Sequence, residues 1–322
     1  MDPIEEPIEV KVLERLNDEG PDDLFICCAS FEKRCLSAVS KFADNFQTRF
    51  AVIFVIEEPL YENEVGEHLR ELRLKLSERT IEQILVISCQ RQNPMDGLTQ
   101  FKDIWKYYQL ISSGHPFVTI DISGFTKIYI LELLHYLVAE LNMRIPRIIH
   151  TTQKYLPNKL TKGVEEVVTV PNFFGEPSSE KQKLLVIFLG FEPERALTVW
   201  EDSYPLKTIA LRTYPPRNGI RKYVKYAEEN NSYLLSRPSV EVRDVPPDNP
   251  YRVRNLLKAI WEETKDSFDM IIGPFGTKSQ TVGVFIFWIE HPEVQVVYSF
   301  PVDYTKSYLR RKPGSTLLLP VG

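Results

Sequence analysis

Short apolar runs alternate with amphipathic helical stretches, the alternation breaks once and restarts in the same order, and matched landmarks recur at nearly one offset. These three observations predict an α/β protein of two tandem Rossmann-like units, each a parallel sheet covered by helices and related to the other by internal duplication. The expected organisation is an N-terminal extension over 1–23, a first unit over 24–171, a linker over 172–182 and a second unit over 183–322.

In the first unit, 24–29 (LFICCA) reads as a buried strand, and helical spacing over 32–46 predicts the helix that follows. A strand over 50–56 (FAVIFVI), a charged amphipathic helix over 61–78, a strand over 84–88 and a helix over 98–111 come next. A strand over 117–122 (FVTIDI), a helix over 126–141 and a strand over 145–150 complete the set. In the second unit, strands over 184–189 (LLVIFL), 208–211, 240–242, 269–272 and 294–298 alternate with helices over 193–200, 220–230, 253–265 and 277–290. Between the units, 172–182 (NFFGEPSSEKQ) holds Gly, Pro and two serines, the composition of a linker.

The repeat is visible in three places. SFEKRCLSAV at 30–39 answers GFEPERALTV at 190–199 with one residue inserted, pairing Glu32 with Glu192 and Arg34 with Arg195. TIDISGFTK at 119–127 answers MIIGPFGTK at 270–278, the two lysines standing 278 − 127 = 151 positions apart. The unit ends, YLPNKLTKGVEEVVTVP at 155–171 and YTKSYLRRKPGSTLLLP at 304–320, match at an offset of 304 − 155 = 149.

Composition narrows the function. With 322 residues, 43% hydrophobic and 26% charged, the chain is long enough for two globular domains. No stretch approaches the roughly 20 uninterrupted apolar residues that span a bilayer, and the acidic start MDPIEEPIEV lacks signal-peptide order, so a cytoplasmic location is expected. Lys+Arg 39 against Asp+Glu 44 argues against strong nonspecific DNA binding. Cys27, Cys28, Cys35 and Cys89 form no CxxC pair and read as reduced core thiols, and the five histidines lack zinc-ligand spacing. Neither a metal nor a cofactor is expected.

Ligands of open parallel sheets sit beyond the carboxyl ends of the strands, where strand order reverses, and both repeated motifs fall at such ends. The turn Ser123-Gly124-Phe125-Thr126-Lys127 opens a helix, so free amides, a hydroxyl and an ammonium converge where the helix dipole favours an anion. Gly276-Thr277-Lys278, followed by Ser279 and Gln280, repeats it. The competing reading makes Thr126 and Thr277 plain N-caps with exposed lysines beside them. GTKS at 276–279 fails the GxxxxGK[ST] spacing, and the first βα turns are too poor in glycine for a dinucleotide fingerprint.

Ser30, Glu32 and Arg34, with Glu192 and Arg195, lie on the neighbouring βα loops. Arg suits a phosphate or a base and Glu a sugar hydroxyl, or each pair is a local ion pair stiffening its helix start. The unit ends interleave Lys154, Tyr155, Lys159 and Lys162, then Tyr304, Lys306, Tyr308, Arg310, Arg311 and Lys312. This mixture suits a polyanion with bases to stack, or a solvated surface strand. No GxSxG, HExxH, Cys-His or paired-carboxylate motif is present, which leaves only phosphodiester cleavage through positioning and charge as an enzymatic reading.

A strand ending Asp-x-Ser-Gly-x-Thr-Lys, here Asp121, Ser123, Gly124, Thr126 and Lys127, resembles the ligand loop of CARF domains, Rossmann-like sensors of cyclic oligoadenylates in prokaryotic antiviral systems. Gly276, Thr277 and Lys278 keep part of it, and two such units in one chain are similar to the SAVED arrangement. The pattern departs at Phe125, where a second Gly is usual, and at Ile272, where the strand-end acid is usual. The resemblance implies a cyclic oligonucleotide held between the two Thr-Lys turns. The 23 residues before Leu24 are too few for an effector domain, which implies a sensor subunit with an effector protein partner, or an enzyme that degrades the messenger. The candidate ligand-binding residues are therefore Ser30, Glu32, Arg34, Ser123, Gly124, Thr126, Lys127, Glu192, Arg195, Gly276, Thr277, Lys278, Gln280, Tyr304 and Arg310.

Overall fold

The computed structural model describes residues 6–111, 116–153, 160–214, 221–305 and 312–321. Along the chain run β1 (Ile8–Glu9), β2 (Asp22–Ala29), β3 (Thr48–Glu57), α1 (Glu62–Ser77), β4 (Thr80–Gln90), α2 (Pro94–Tyr108), β5 (Val118–Asp121), α3 (Lys127–Leu134) and β6 (Arg147–Gln153). Then follow β7 (Thr161–Lys162), β8 (Glu166–Thr169), β9 (Gln182–Phe188), α4 (Pro193–Ser203), β10 (Lys207–Thr213), α5 (Arg221–Asn230), α6 (Ser232–Leu235) and β11 (Val240–Val245). The chain closes with α7 (Pro250–Thr264), β12 (Phe268–Pro274), α8 (Lys278–Glu290), β13 (Gln295–Phe300), β14 (Asp303–Tyr304) and β15 (Pro313–Leu318).

The fold is mixed α/β, as expected. Its compact units, however, are discontinuous in sequence: one joins Glu5–Tyr155 to Leu309–Leu319, the other is built on Leu156–Tyr308. In the first unit the sheet order is β1-β15-β6-β5-β2-β3-β4, with β2 to β6 parallel, β15 antiparallel to β6 and β1 antiparallel to β15. In the second it is β11-β10-β9-β12-β13-β8, parallel apart from β8, which runs against β13. The five parallel strands of both sheets share one order and one set of connections, whereas the antiparallel strand follows them in the chain in the first unit (β15) and precedes them in the second (β8). Order reverses between β2 and β5 in one and between β9 and β12 in the other, and these are the switch points.

Strands buried on both faces explain the continuous apolar runs. All eight residues of β2 are buried, and Leu184 to Phe188 of β9 are fully buried, as expected of central strands lying under helices on both sides. Edge strands differ: β4 alternates exposed Val86 with buried Leu85 and Ile87.

The structure differs from the sequence expectations in five places. The helix over 32–46 is replaced by two short 3₁₀ turns, Lys33–Leu36 and Val39–Lys41. Leu13 captures this stretch, its N–H bonding the Lys41 carbonyl at 2.6 Å and its carbonyl taking the Ala43 N–H at 2.9 Å, so backbone groups a longer helix needs are engaged elsewhere. Past α3, the helix over 126–141 continues as a π-helical stretch, His135–Glu140. The extension over 1–23 is part of the first unit: Ile8 and Glu9 pair with Leu318 and Leu317, and Asp22 and Asp23 begin β2.

The linker over 172–182 is anchored at its start. Phe173 is fully buried with its ring 4.4 Å from Trp288, and Glu176 N–H bonds the Glu293 carbonyl at 2.9 Å. The boundary at 171 also shifts, because the matching terminal segments cross over. β8, from the first half of the sequence, pairs Val168 with Tyr298 in the second unit, while β15, from the second half, pairs Leu317 with His150 in the first.

Candidate functional site

In the first unit the loops after β2 and β5 meet at the switch point. Asp121 ends β5 buried, and its Oδ1 accepts the Ser123 N–H at 2.9 Å and the Ser123 hydroxyl. Ser123 Oγ in turn accepts the Thr151 N–H of β6 at 2.7 Å, so this acid and hydroxyl build the turn and tie it to the next strand. Gly124 is required by packing: a Cβ there would stand 2.1 Å from the Cys28 carbonyl oxygen. Phe125 fills the core beside Phe54, ring centroids 5.3 Å apart.

Thr126 is the N-cap of α3 but makes no capping bond, and its buried hydroxyl has no hydrogen-bond partner among the described residues. Lys127 follows half-buried on the first turn. Burial first, then the Asp121 charge, raises the Cys27 thiol pKa far above its ordinary value, keeping it neutral beneath the site.

On the β2 side, Ser30 Oγ accepts the Glu32 N–H at 3.3 Å. Arg34 pairs with Glu32 at 2.8 Å, both side chains nearly buried, and Gln153 of β6 donates to the other Glu32 oxygen. Arg34 also reaches the Thr151 carbonyl at 3.4 Å. The sequence alternative of a local ion pair therefore describes Glu32 and Arg34 as they stand.

The second unit repeats this layout with different chemistry. Thr277 caps α8 in a capping box: its hydroxyl accepts the Gln280 N–H at 3.1 Å and its N–H donates to Gln280 Oε1 at 2.8 Å. Gln280 Nε2 adds bonds to the Pro246 carbonyl at 2.9 Å and to Thr213 Oγ1 at 3.3 Å. Gly276 leaves room for that folded-back amide, since a Cβ there would meet Gln280 Oε1 at 1.9 Å. Lys278 is half-buried on the first turn.

Arg195 is buried, its Nε on Ser299 Oγ at 3.0 Å and Nη2 on the Ser299 carbonyl at 2.5 Å, with its guanidinium 5.1 Å from the Phe275 ring and 5.0 Å from that of Tyr298. Glu192, the N-cap of α4, is buried without a capping bond. Tyr304 lies half-buried in β14, and Lys162 is exposed on β7. Arg310, with Lys154, Tyr155, Lys159, Lys306, Tyr308 and Arg311, falls outside the described residues.

Each unit thus gathers its own motif residues at its switch point. Sequence reasoning missed Thr151 and Ser299, on which both loop arginines land. Their common offset, 299 − 151 = 148, close to that of the repeat, was the available signal. Asn231, which bonds the Gly190 carbonyl at 3.0 Å from the junction of α5 and α6, had no signal at all. Among the described residues no group of three or more His, Cys, Asp or Glu could hold a metal, and no helix is long and apolar enough to cross a membrane. No protein-family model matches the chain, and no curated protein matches it.

Proposed function

We propose that the protein is a nucleotide-binding sensor subunit, with a cyclic oligonucleotide of a prokaryotic antiviral system as its ligand and an effector protein as its partner. The observation that carries this reading is that each unit sets a Thr-Lys helix start at the carboxyl edge of its sheet where strand order reverses. The common strand order of the two sheets supports internal duplication. A cytoplasmic location accompanies this reading.

Titration calorimetry on the full chain with cyclic di-, tri- and tetranucleotides tests it. One member of the panel gives saturable heat, and Lys127→Ala or Lys278→Ala weakens binding about tenfold, the loss of roughly one charge-assisted contact. Silence from the whole panel removes the reading.

A second reading, a non-catalytic assembly subunit, is favoured by the internal use of the motif side chains, above all the Thr277–Gln280 capping box. It predicts that both lysine variants leave the activity of the host system unchanged.

A further inference from the structure

We propose that the second unit holds a hydrogen-bond-accepting site at Gly190, where Glu192 Oε1 and Asn231 Oδ1 accept from donor groups of a ribonucleotide, a ribose 2′-hydroxyl among them. The ribonucleotide identity rests on the reading above, whereas the donor chemistry rests on the side chains themselves.

Glu192 is 6% exposed, and its Oε1 is buried with no hydrogen-bond partner among the described residues. An acidic N-cap ordinarily accepts an amide of the first helical turn, yet Glu192, at φ −101° and ψ 97°, makes no such bond. Arg195 feels the Glu192 charge but places no hydrogen bond on Oε1, since its Nε and Nη2 donate to Ser299 and its guanidinium lies over two aromatic rings.

Asn231, 2% exposed, supplies the second acceptor. Its Nδ2 donates to the Gly190 carbonyl at 3.0 Å and to the Ala227 carbonyl at 2.7 Å, which fixes the amide orientation and leaves Oδ1 buried without a partner among the described residues. Both side chains approach Gly190, Asn231 through Nδ2 and Glu192 through Oε2. A Cβ there would meet the Phe275 carbonyl at 2.8 Å and Glu192 Oε2 at 3.5 Å, so the glycine lets the loop after β9 close onto the loop after β12 with the carboxylate over it.

Two buried acceptors disfavour a phosphate at this end and call for O–H or N–H donors. The Gly276-Thr277-Lys278 turn, directly after Phe275, supplies the opposite chemistry. The loops after β9 and β12, in contact at Gly190 and Phe275, therefore carry acceptor side chains on one and a Thr-Lys turn on the other, and a nucleotide carries the complement of both. The first unit lacks this acceptor pair, since its Glu32 is engaged by Arg34 and Gln153.

Thermal unfolding of the full chain, wild type against Glu192→Gln and Glu192→Met, with and without cyclic tri- and tetra-adenylate and their 2′-deoxy counterparts, tests the site. Without ligand both variants unfold at or above the wild-type temperature, because each removes a buried negative charge whose Oε1 has no hydrogen-bond partner among the described residues. The ribonucleotide-induced rise of the wild type is lost in both variants and with the deoxy probes. If both variants unfold several degrees lower, Glu192 is a structural counter-charge for Arg195 and the site is overturned. An equal rise with ribo and deoxy probes overturns the sugar assignment. A wild-type chain silent toward every probe removes the nucleotide reading, and the unligated midpoints still decide the acceptor site.

Discussion

Gly124 lies against the carbonyl of Cys28 so closely that a Cβ would stand 2.1 Å from its oxygen. Both partners are backbone, so neither can swing away. Gly124→Ala is expected to destabilise the protein by about 1–3 kcal/mol or more through overpacking. Gly66, inside α1 with only the far end of Arg70 nearby, is the opposite case, and Gly66→Ala stabilises by about 0.5–1 kcal/mol. Denaturant midpoints of the two variants should move in opposite directions.

The two threonines of the repeated turn differ in the same physical sense. Thr277→Ala removes a capping bond and costs about 1 kcal/mol. Thr126→Val replaces a hydroxyl that makes no capping bond, and its unfolding free energy stays within about 0.5 kcal/mol of wild type. A loss in Thr126→Val as large as in Thr277→Ala would contradict the geometry of the α3 cap.

Phe173 separates a loop from a packed anchor. Buried against Trp288 and Phe285, it should cost about 3–5 kcal/mol on truncation to Ala. A neutral Phe173→Ala in equilibrium unfolding would return the segment to the role of a free linker.

His135 sets a pH dependence. Burial lowers its pKa below the ordinary value, opposed in part by Glu140 and assisted by Lys102. The unfolded chain then binds the proton more readily. The stability tied to neutral His135 is complete above about pH 6.5 and is lost as pH falls from there through the lowered folded-state value. Unfolding free energies of wild type and His135→Gln, measured between pH 5 and 8, should diverge at the acid end, with the variant the flatter of the two.

The crossed terminal strands predict how the halves behave apart. A fragment over 1–171 lacks β15 and leaves the edge of β6 bare, and a fragment over 172–322 lacks β8 and does the same to β13. Exposed edges pair intermolecularly. Each fragment alone should show reduced cooperativity in circular dichroism melts and a tendency to aggregate, and co-expression should restore a wild-type melt. Two independently stable fragments would show that the crossed strands contribute little.

The sequence by itself determined the α/β class, the central strands and the placement of both Thr-Lys turns at strand ends. Continuous apolar runs such as LFICCA and LLVIFL arise only where both sheet faces are covered, and that requirement is written residue by residue. Tertiary structure decided the rest. Whether 32–46 became a helix depended on Leu13, a residue distant in sequence, and β8 and β15 acquired their partners from sheets that local periodicity cannot choose between. The use of the site residues was decided there too. Matching Glu and Arg signatures became an ion-pair network around Glu32 and, at Glu192, a buried oxygen with no hydrogen-bond partner among the described residues, because Gln153 reaches the first and Arg195 donates to Ser299 in the second. A side chain's type fixes what it can bond, but only the packed neighbours fix what it does bond.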